Sequence, residues 1–320
     1  FEKEKKRVIT GLDQAKESPR QVIGSYWDKL IFGDHVYGNA VTGTPVTVGK
    51  LTITDLKDFY KKNYRPETSA IAVVGDFNSK EMRTRLSKLF GSWKKGGGNQ
   101  PNLASKPVNP AQGAKVLLVN KEDARETTFL IGGLGISRNN PDYVAIDVIN
   151  TVFGGRFTSM LNDELRVNSG LTYGANSRFS PLKNSGTFAI STFTATKTTE
   201  PAIDKALEVL KRLHTAGIDE ETLTSAKNYV KGQFPPRYET SGQLAGLLTS
   251  MFWYGFNESY INNFENTVNS MTTAKAKEII TRYFPINNLQ FVLIGKAEDI
   301  RKTAEKLGPV TEKQIKADGF

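Results

Sequence analysis

Residues 52–66 read TITDLKDFYKKNYRP, and residues 271–285 read MTTAKAKEIITRYFP. Each stretch has the apolar spacing of an amphipathic helix and ends in Tyr-x-Pro. Each is followed by a short apolar run ending in glycine, IAVVG at 71–75 and FVLIG at 291–295, which predicts a buried strand. The order of helix, Tyr-x-Pro, strand and glycine therefore occurs twice in the chain.

The spacing between the two copies is nearly constant. Self-similarity at a fixed distance indicates a duplication, and here the distance is about 220 residues in three pairs of matching positions. The pairs are Tyr64 with Tyr283, Gly75 with Gly295, and Gly33 with Gly255. The alternative is a pair of unrelated helix–strand units. We expect that residues from Leu51 through Phe90 superpose on those from Ser270 through Leu307.

Strands and helices between the two copies predict the fold class. Strands are predicted at 115–120, 128–134, 170–179 and 186–196, and helices at 141–152, 199–213 and 219–234. This order predicts an α+β fold, in which helices pack on one face of a mostly antiparallel sheet. Residues 1–95 then form the C-terminal half of a first domain, residues 96–113 a linker rich in Gly, Asn and Pro, and residues 114–320 a second, complete domain.

Composition excludes several classes of site. The 320 residues include no cysteine and only two histidines, His35 and His214, so disulfides, thiol catalysis and Cys-based metal sites are excluded. The net charge is +10, but acidic residues interrupt the basic runs, and a nucleic-acid footprint would be a focused basic stripe. No apolar run approaches the roughly 20 residues that span a bilayer. We therefore expect neither a nucleic-acid partner nor a transmembrane segment.

Several motifs, taken in order, resemble one family. They are FGDHVYG at 32–38, YRP at 64–66, VVGD at 73–76, PDY at 141–143, FGG at 153–155 and LRVNSGLTY at 165–173. This set is similar to that of the pitrilysin/insulysin-type zinc metallopeptidases, and most similar to the bacterial subgroup related to the mitochondrial processing peptidase. The resemblance implies two homologous α+β domains that enclose a peptide chamber, and a location in the bacterial periplasm or cell envelope.

The zinc chemistry of that family needs ligands that this sequence lacks. The resemblance implies two histidines and a general base from His-x-x-Glu-His, and a third ligand from a downstream glutamate. No His-x-x-Glu-His occurs in the chain, and by the repeat it would lie ahead of Phe1. Glu4 matches the first glutamate of the downstream Glu-x6-Glu pattern, but Gly11 occupies the ligand position. We expect no metal site and no catalytic residue in this chain, with zinc in a partner subunit or in an upstream segment.

A second family signature, an Arg-x6-Tyr pair, is present as Arg166 and Tyr173. The resemblance implies that the pair faces the zinc across the chamber. A guanidinium and a phenol can both donate hydrogen bonds to a peptide carbonyl or a developing oxyanion. Arg166 is expected at the end of a helix and Tyr173 on the strand that follows. The alternative is that both residues have only structural roles.

Three hypotheses follow. The first is a zinc-free, substrate-binding subunit of a two-chain peptidase, paired with a homologous metal-bearing subunit or with a second copy. The second is a fragment of a complete zinc metalloendopeptidase, since Phe1 already lies inside an amphipathic pattern. The third is a non-enzymatic binding or structural relative. The sequence identifies neither the peptide substrate nor the partner.

Overall fold

The computed structural model describes residues 1–96 and 106–320; part of the predicted linker, 97–105, lies outside the described residues. The N-terminal segment is helical: α1 (Glu2–Ala15), α2 (Pro19–Phe32), α3 (Pro45–Lys50), α4 (Ile53–Asn63) and α5 (Ser79–Phe90). The next part contains β1 (Lys115–Asn120), β2 (Glu126–Leu134), α6 (Tyr143–Asn150), α7 (Met160–Asn162), β3 (Ala175–Pro181) and β4 (Gly186–Ala195). The remainder contains α8 (Thr199–Ala216), α9 (Glu220–Gln233), α10 (Ser241–Tyr254), α11 (Ser259–Asn262), α12 (Phe264–Asn269), α13 (Thr273–Tyr283), β5 (Gln290–Gly295), α14 (Ala297–Leu307) and β6 (Val310–Gln314).

The strands form one mixed sheet in the order β3-β4-β2-β5-β1-β6. Strand β4 pairs antiparallel with both β3 and β2, and β2 pairs antiparallel with β5. Strand β1 pairs parallel with β5 and with β6. The α+β class is therefore confirmed. The two strands predicted first, β1 and β2, are separated in the sheet because β5 lies between them.

One face of the sheet carries the main hydrophobic core. Helices α6, α8, α9, α13 and α14 pack there, and the apolar face of α8 is buried. Four aromatic rings, from Phe153, Phe179, Phe188 and Phe284, form its centre, with Phe188 and Phe284 edge to face at 5.3 Å between centroids. Edge-to-face packing of this kind stabilises a core beyond the buried area itself.

The opposite face of the sheet is covered by α2 from the N-terminal segment. Val22, Ile23, Tyr26 and Trp27 are at most 6% exposed. They form a second core with strand residues Leu117, Val119, Leu130, Val292 and Ile294, and with Ile315. The sheet is thus covered on both faces, by helices from different parts of the sequence.

The expectation of a buried strand over Ile71–Gly75 is wrong. Residues 69–74 have no regular secondary structure, and the Ile71 and Val73 side chains are 54% and 37% exposed. Within the described residues, no strand pairs with this run. A β-strand needs a neighbour for its backbone groups, so an apolar run without one stays open.

The helices of the two predicted copies nevertheless have matching lengths. Helices α4 and α13 each have 11 residues and begin directly after Thr52 and Thr272, which are their N-caps. Each threonine accepts a hydrogen bond from the backbone N–H three residues later. Helices α2 and α10 each have 14 residues and end at a glycine, Gly33 and Gly255 respectively. This agreement is what a duplication would produce.

Asp28 on α2 supplies a pH-dependent contribution to stability. Burial raises its pKa to about 6. Because this is above the value in an unfolded chain, the folded state is favoured by protonation, and that advantage is lost as the pH rises from about 4 through 6. We expect Asp28→Asn to raise the free energy of unfolding by about 1 kcal/mol near pH 7.5, allowing for solvent screening of a half-buried group, and to have little effect near pH 4.

Urea unfolding at both pH values measures this, with Asp76→Asn in an exposed turn as the control. An equal effect of Asp28→Asn at both pH values would contradict the assignment.

Candidate functional site

Arg166 lies on a π-helical turn, Asp163–Asn168, that continues α7. The turn is closed by the Ser169 N–H, which donates to the Glu164 carbonyl at 3.0 Å. Arg166 is exposed, and its guanidinium carbon lies 4.6 Å from the centroid of the Phe157 ring. A cation within about 6 Å of an aromatic centroid is attracted to the ring, so Phe157 helps to position Arg166. π-Helical turns are rare and are frequent at functional sites.

Tyr173 lies in the loop before β3 and not on the strand itself, which starts at Ala175. The expectation that Tyr173 sits on a strand is therefore wrong. The side chain is 83% exposed. The strand does not extend to Tyr173 because backbone carbonyls of this loop accept hydrogen bonds from buried threonine hydroxyls of β4.

Two threonines of β4 hold this loop. The Thr192 hydroxyl donates to the Gly174 carbonyl at 2.9 Å and lies 3.0 Å from the Thr172 hydroxyl. The Thr194 hydroxyl donates to the Leu171 carbonyl at 2.7 Å. Thr194 is 2% exposed, so these bonds are shielded from water. They fix the backbone on both sides of Tyr173.

Asn162 links the two walls of the site. Its Nδ2 donates to the Phe157 carbonyl at 2.6 Å, and its Oδ1 accepts from the Ala175 N–H at 3.3 Å. Glu164, two residues before Arg166, accepts a hydrogen bond from Arg212 of α8 at 2.7 Å, which holds the pKa of Glu164 below its usual range. The turn that carries Arg166 is therefore fixed to the helical layer.

Arg166 and Tyr173 line the same cavity, of about 560 Å³, together with Glu126, Lys197 and Phe193. Neither the Arg166 nor the Tyr173 side chain hydrogen-bonds to another described residue, so both keep their donors available. Both donors therefore lie on one concave surface.

The far side of the cavity includes a contact from α2. The Arg20 guanidinium carbon lies 3.5 Å from the centroid of the Phe193 ring, and its Nη2 lies 3.4 Å from a Glu126 carboxylate oxygen. The ion pair with Arg20 offsets the negative charge of Glu126. The cationic side chains that line the cavity are then those of Arg166 and Lys197. Such a surface can bind carbonyl and carboxylate oxygens of a peptide.

Sequence reasoning missed Phe157, Glu126, Lys197 and the supporting threonines. Glu126 and Lys197 flank the paired strands β2 and β4, which places them together only in the folded sheet. Phe157 follows Arg156 in GGRF, a pattern with no functional signature of its own. Only the two residues of the family spacing could be identified from the sequence.

The predicted metal-ligand position lies on α1. Gly11 is in the helix, and a side chain added there would meet nothing within 4 Å. Glu4 is on the same helix and pairs with Arg7, whose hydrogen bond holds the pKa of Glu4 below its usual range. In the described parts of the chain, no three His, Cys, Asp or Glu side chains come together in a way that could hold a metal ion.

Each of the two histidines has a hydrogen-bond contact with a backbone group. His35 Nδ1 accepts from the Tyr37 N–H at 3.1 Å, as expected for a loop histidine with a local role. His214 Nε2 lies 3.0 Å from the Phe284 carbonyl oxygen, and burial lowers its pKa. Both side chains therefore have contacts that need no metal.

We expect the purified chain to bind less than about 0.1 equivalent of zinc, because tight zinc sites use at least three protein ligands. Metal analysis after dialysis against zinc measures this. Gly11→Glu is the matched variant, since the position is open and the added carboxylate would lack histidine partners. Its zinc content should equal that of the wild-type chain. About one tightly bound zinc per chain would contradict the prediction.

Among residues 1–96 and 106–320, no helix is both long and apolar enough to cross a membrane.

Comparisons of this chain with known sequences and solved structures all indicate the same family. An uncharacterized zinc protease of Mycobacterium leprae is 26% identical over 319 residues, which cover 98% of this chain and 67% of the relative. A non-peptidase homolog of Helicobacter pylori is 24% identical and covers 92% of this chain and 67% of the relative. The chain thus spans about two thirds of the length of these curated relatives.

The crystal structure of a peptidase M16 inactive domain from Pseudomonas fluorescens matches with a TM-score of 0.80 at 22% identity, covering 92% of this chain and 69% of that one. The family profile described as "Peptidase M16 inactive domain" matches residues 50–230. This range contains both Arg166 and Tyr173, and it is more than half of the chain. The chain therefore belongs to the M16 family of zinc peptidases, through that family's inactive domain.

Proposed function

We propose that this chain is the zinc-free, substrate-binding part of an M16 zinc metallopeptidase that cleaves peptides in an enclosed chamber. The observation that carries this proposal is the cavity that both Arg166 and Tyr173 line, where two hydrogen-bond donors are exposed and buried hydrogen bonds hold the backbone on both sides of Tyr173. Donors held in advance need little reorganisation when charge develops on a peptide carbonyl.

The role is binding and orientation. The Arg166 guanidinium can donate two parallel hydrogen bonds to a carboxylate or hydrogen-bond to a carbonyl oxygen, and the Tyr173 phenol can donate one hydrogen bond. Zinc in a homologous metal-bearing subunit, or in a segment preceding residue 1, would supply the activated water. No residue of this chain takes or gives a proton in this proposal.

We also propose that the division into 1–95, 96–113 and 114–320 reflects two M16 domains, of which the first is present in part. The matching lengths and caps of α4 and α13 support it. We propose a homologous metal-bearing subunit as the partner, and the bacterial periplasm or cell envelope as the location, which follows from the family resemblance.

The test is a peptide-cleavage assay in which this chain is co-produced with a zinc-bearing M16 subunit. The proposal requires that cleavage depends on both chains and that chelation of zinc abolishes it. Arg166→Ala should weaken peptide binding as well as turnover, because it removes both a charge and two donors.

Two outcomes would decide against the proposal. Zinc-dependent cleavage by this chain alone would favour a complete peptidase. Peptide binding that is unchanged by Arg166→Ala would favour a non-enzymatic structural relative.

A further inference from the structure

Lys197 lines the cavity of Arg166 and Tyr173 and has no partner there. Its ammonium makes no hydrogen bond, ion pair or ring contact with any residue of the described ranges, and the side chain is exposed. The cavity volume is about 560 Å³, and a single peptide group fills only a small part of it. A side chain or a chain end of a bound peptide can therefore reach Lys197.

The backbone that carries Lys197 is fixed. Lys197 is the central residue of a 3₁₀ turn, Thr196–Thr198, between β4 and α8. The Thr196 N–H donates to the Arg125 carbonyl at 3.2 Å. After the turn, the hydroxyl of Thr199, which is 1% exposed, donates to the Thr196 carbonyl at 2.8 Å. Hydrogen bonds on both sides of Lys197 therefore hold its position, while its side chain can move.

The stability of α8 does not explain a lysine at this position. Lys197 directly precedes Thr198, the N-cap residue of α8. The N-terminus of a helix carries a partial positive charge, so a cation beside it is unfavourable. Glu200 supplies the favourable charge in the first turn, and it is paired with Lys306. Lys197 thus opposes the helix dipole without a compensating contact of its ammonium among the described residues.

Two carboxylates beside the cavity already have basic partners. Glu126, which lines the cavity, lies 3.4 Å from Arg20. Glu164, on the turn that carries Arg166, lies 2.7 Å from Arg212. Neither carboxylate therefore neutralises the cations that line the cavity. A ligand that brings a carboxylate of its own would balance their charge.

We propose that Lys197 is a specificity residue that binds a carboxylate of the peptide, so that this cavity selects acidic peptides. The inference rests on the proposed function, in which Arg166 and Tyr173 bind the peptide backbone. The carboxylate can belong to an Asp or Glu side chain or to the C-terminus of the peptide. A lysine ammonium is a compact charge on a flexible stem, so it can follow a carboxylate in either place. The net charge of +10 also favours the approach of acidic peptides.

Four peptides of about eight residues test this selection on the 320-residue chain. They share an uncharged sequence with a neutral fluorophore at the amino terminus. Three have an amidated C-terminus and carry a central Glu, Gln or Lys. The fourth carries Gln and a free C-terminal carboxylate. Fluorescence anisotropy measures the affinities without zinc and without a second subunit, so no readout depends on peptidase activity.

We expect the chain to bind the Glu peptide about three- to fivefold more tightly than the amidated Gln peptide at low salt, and the Lys peptide least tightly. Salt of about 0.5 M should reduce this preference to less than about twofold, because it screens exposed charges. Tight binding of the fourth peptide would assign the terminal carboxylate as the ligand. Binding of the fourth peptide that equals that of the amidated Gln peptide would assign the acidic side chain.

The variants identify the residue responsible. Lys197→Ala should abolish the difference between the Glu and Gln peptides and change the affinity for the amidated Gln peptide by less than about twofold. Lys197→Glu should make the Lys peptide the preferred one. Lys211→Ala, at an exposed lysine of α8 outside the cavity lining, is the matched control and should keep the preference for Glu. Thermal melting of Lys197→Ala should not fall, since the removed cation opposes the dipole of α8.

Two results would overturn the inference. One is equal affinity of the wild-type chain for the Glu, Gln and Lys peptides. The other is a preference for Glu that survives Lys197→Ala, which would assign the preference to Arg166 or to the overall charge. Either result leaves the proposed function in place if Arg166→Ala still weakens the binding of all the peptides. Binding that does not respond to Arg166→Ala contradicts the proposed function instead, so the two failures are distinguishable.

Discussion

Tyr173→Phe should lower kcat for peptide cleavage by about 10²–10³-fold in the complex with a zinc-bearing M16 subunit, while KM changes less than about threefold. The phenol donates one hydrogen bond, and the proposed acceptor is the carbonyl oxygen as it becomes an oxyanion. A donor aimed at charge that develops only in the transition state contributes little to the binding of the ground state. The loss should therefore appear in kcat.

Folding should not be affected by this change. The Tyr173 side chain is 83% exposed, and the loop is held by Thr192 and Thr194 through backbone carbonyls that the substitution leaves in place. Thermal melting should therefore match that of the wild-type chain. Tyr229→Phe, at an exposed tyrosine of α9 outside the cavity, is the matched control and should keep full activity.

Arg166 provides an independent check on the same mechanism. Arg166→Lys keeps the charge but cannot reproduce the planar pair of donors, so it should recover only part of the loss caused by Arg166→Ala. Wild-type kinetics for both Tyr173→Phe and Arg166→Ala, with unchanged melting, would show that the spacing has no functional role in this chain.

Trp27→Ala should lower the free energy of unfolding by about 3–5 kcal/mol, the usual range for a large aromatic side chain removed from a core. Trp27 is 3% exposed and lies between α2 and the sheet. Its contacts join the N-terminal segment to the C-terminal part, so the loss should loosen α2 as well as leave a cavity. Urea unfolding followed by circular dichroism measures the change.

Two variants separate this packing effect from the general loss of an indole side chain. Trp253→Ala removes the same side chain from the equivalent helix, but at 58% exposure it should cost about 1 kcal/mol or less. Trp27→Phe should cost less than Trp27→Ala, because the buried Nε1 has no hydrogen-bond partner among the described residues. Equal losses for Trp27→Ala and Trp253→Ala would show that α2 does not depend on this contact.

Local sequence patterns predicted most helices and the strands of the second copy. The apolar face of α8 and the two strands around the 182–185 turn are determined by interactions between residues near each other in sequence. The run Ile71–Gly75 has the same local pattern as β5 and yet forms no strand. The local preference for a β-strand is similar in the two runs, but among the residues that the structure describes only β5 has neighbouring strands.

The candidate site also contains residues that the sequence predicted and residues that only the folded structure brings together. Arg166 and Tyr173 are close in sequence, and they were predicted because their spacing matches the Arg-x6-Tyr signature of the family. Glu126 and Lys197 join them only because β2 and β4 are paired, and Arg20 reaches Phe193 only because α2 crosses the sheet.

The sequence by itself determined the fold class, and it predicted the repeat and the two donors of the candidate site, because each prediction depends on spacing that is visible along the chain. The tertiary structure decided that β5 lies between β1 and β2, that α2 covers the second face of the sheet, and that α10 has an open apolar face within the described residues. These features depend on which apolar surfaces meet. The hydrophobic effect that drives this packing is non-directional, so the local sequence does not show which apolar surfaces will pack together.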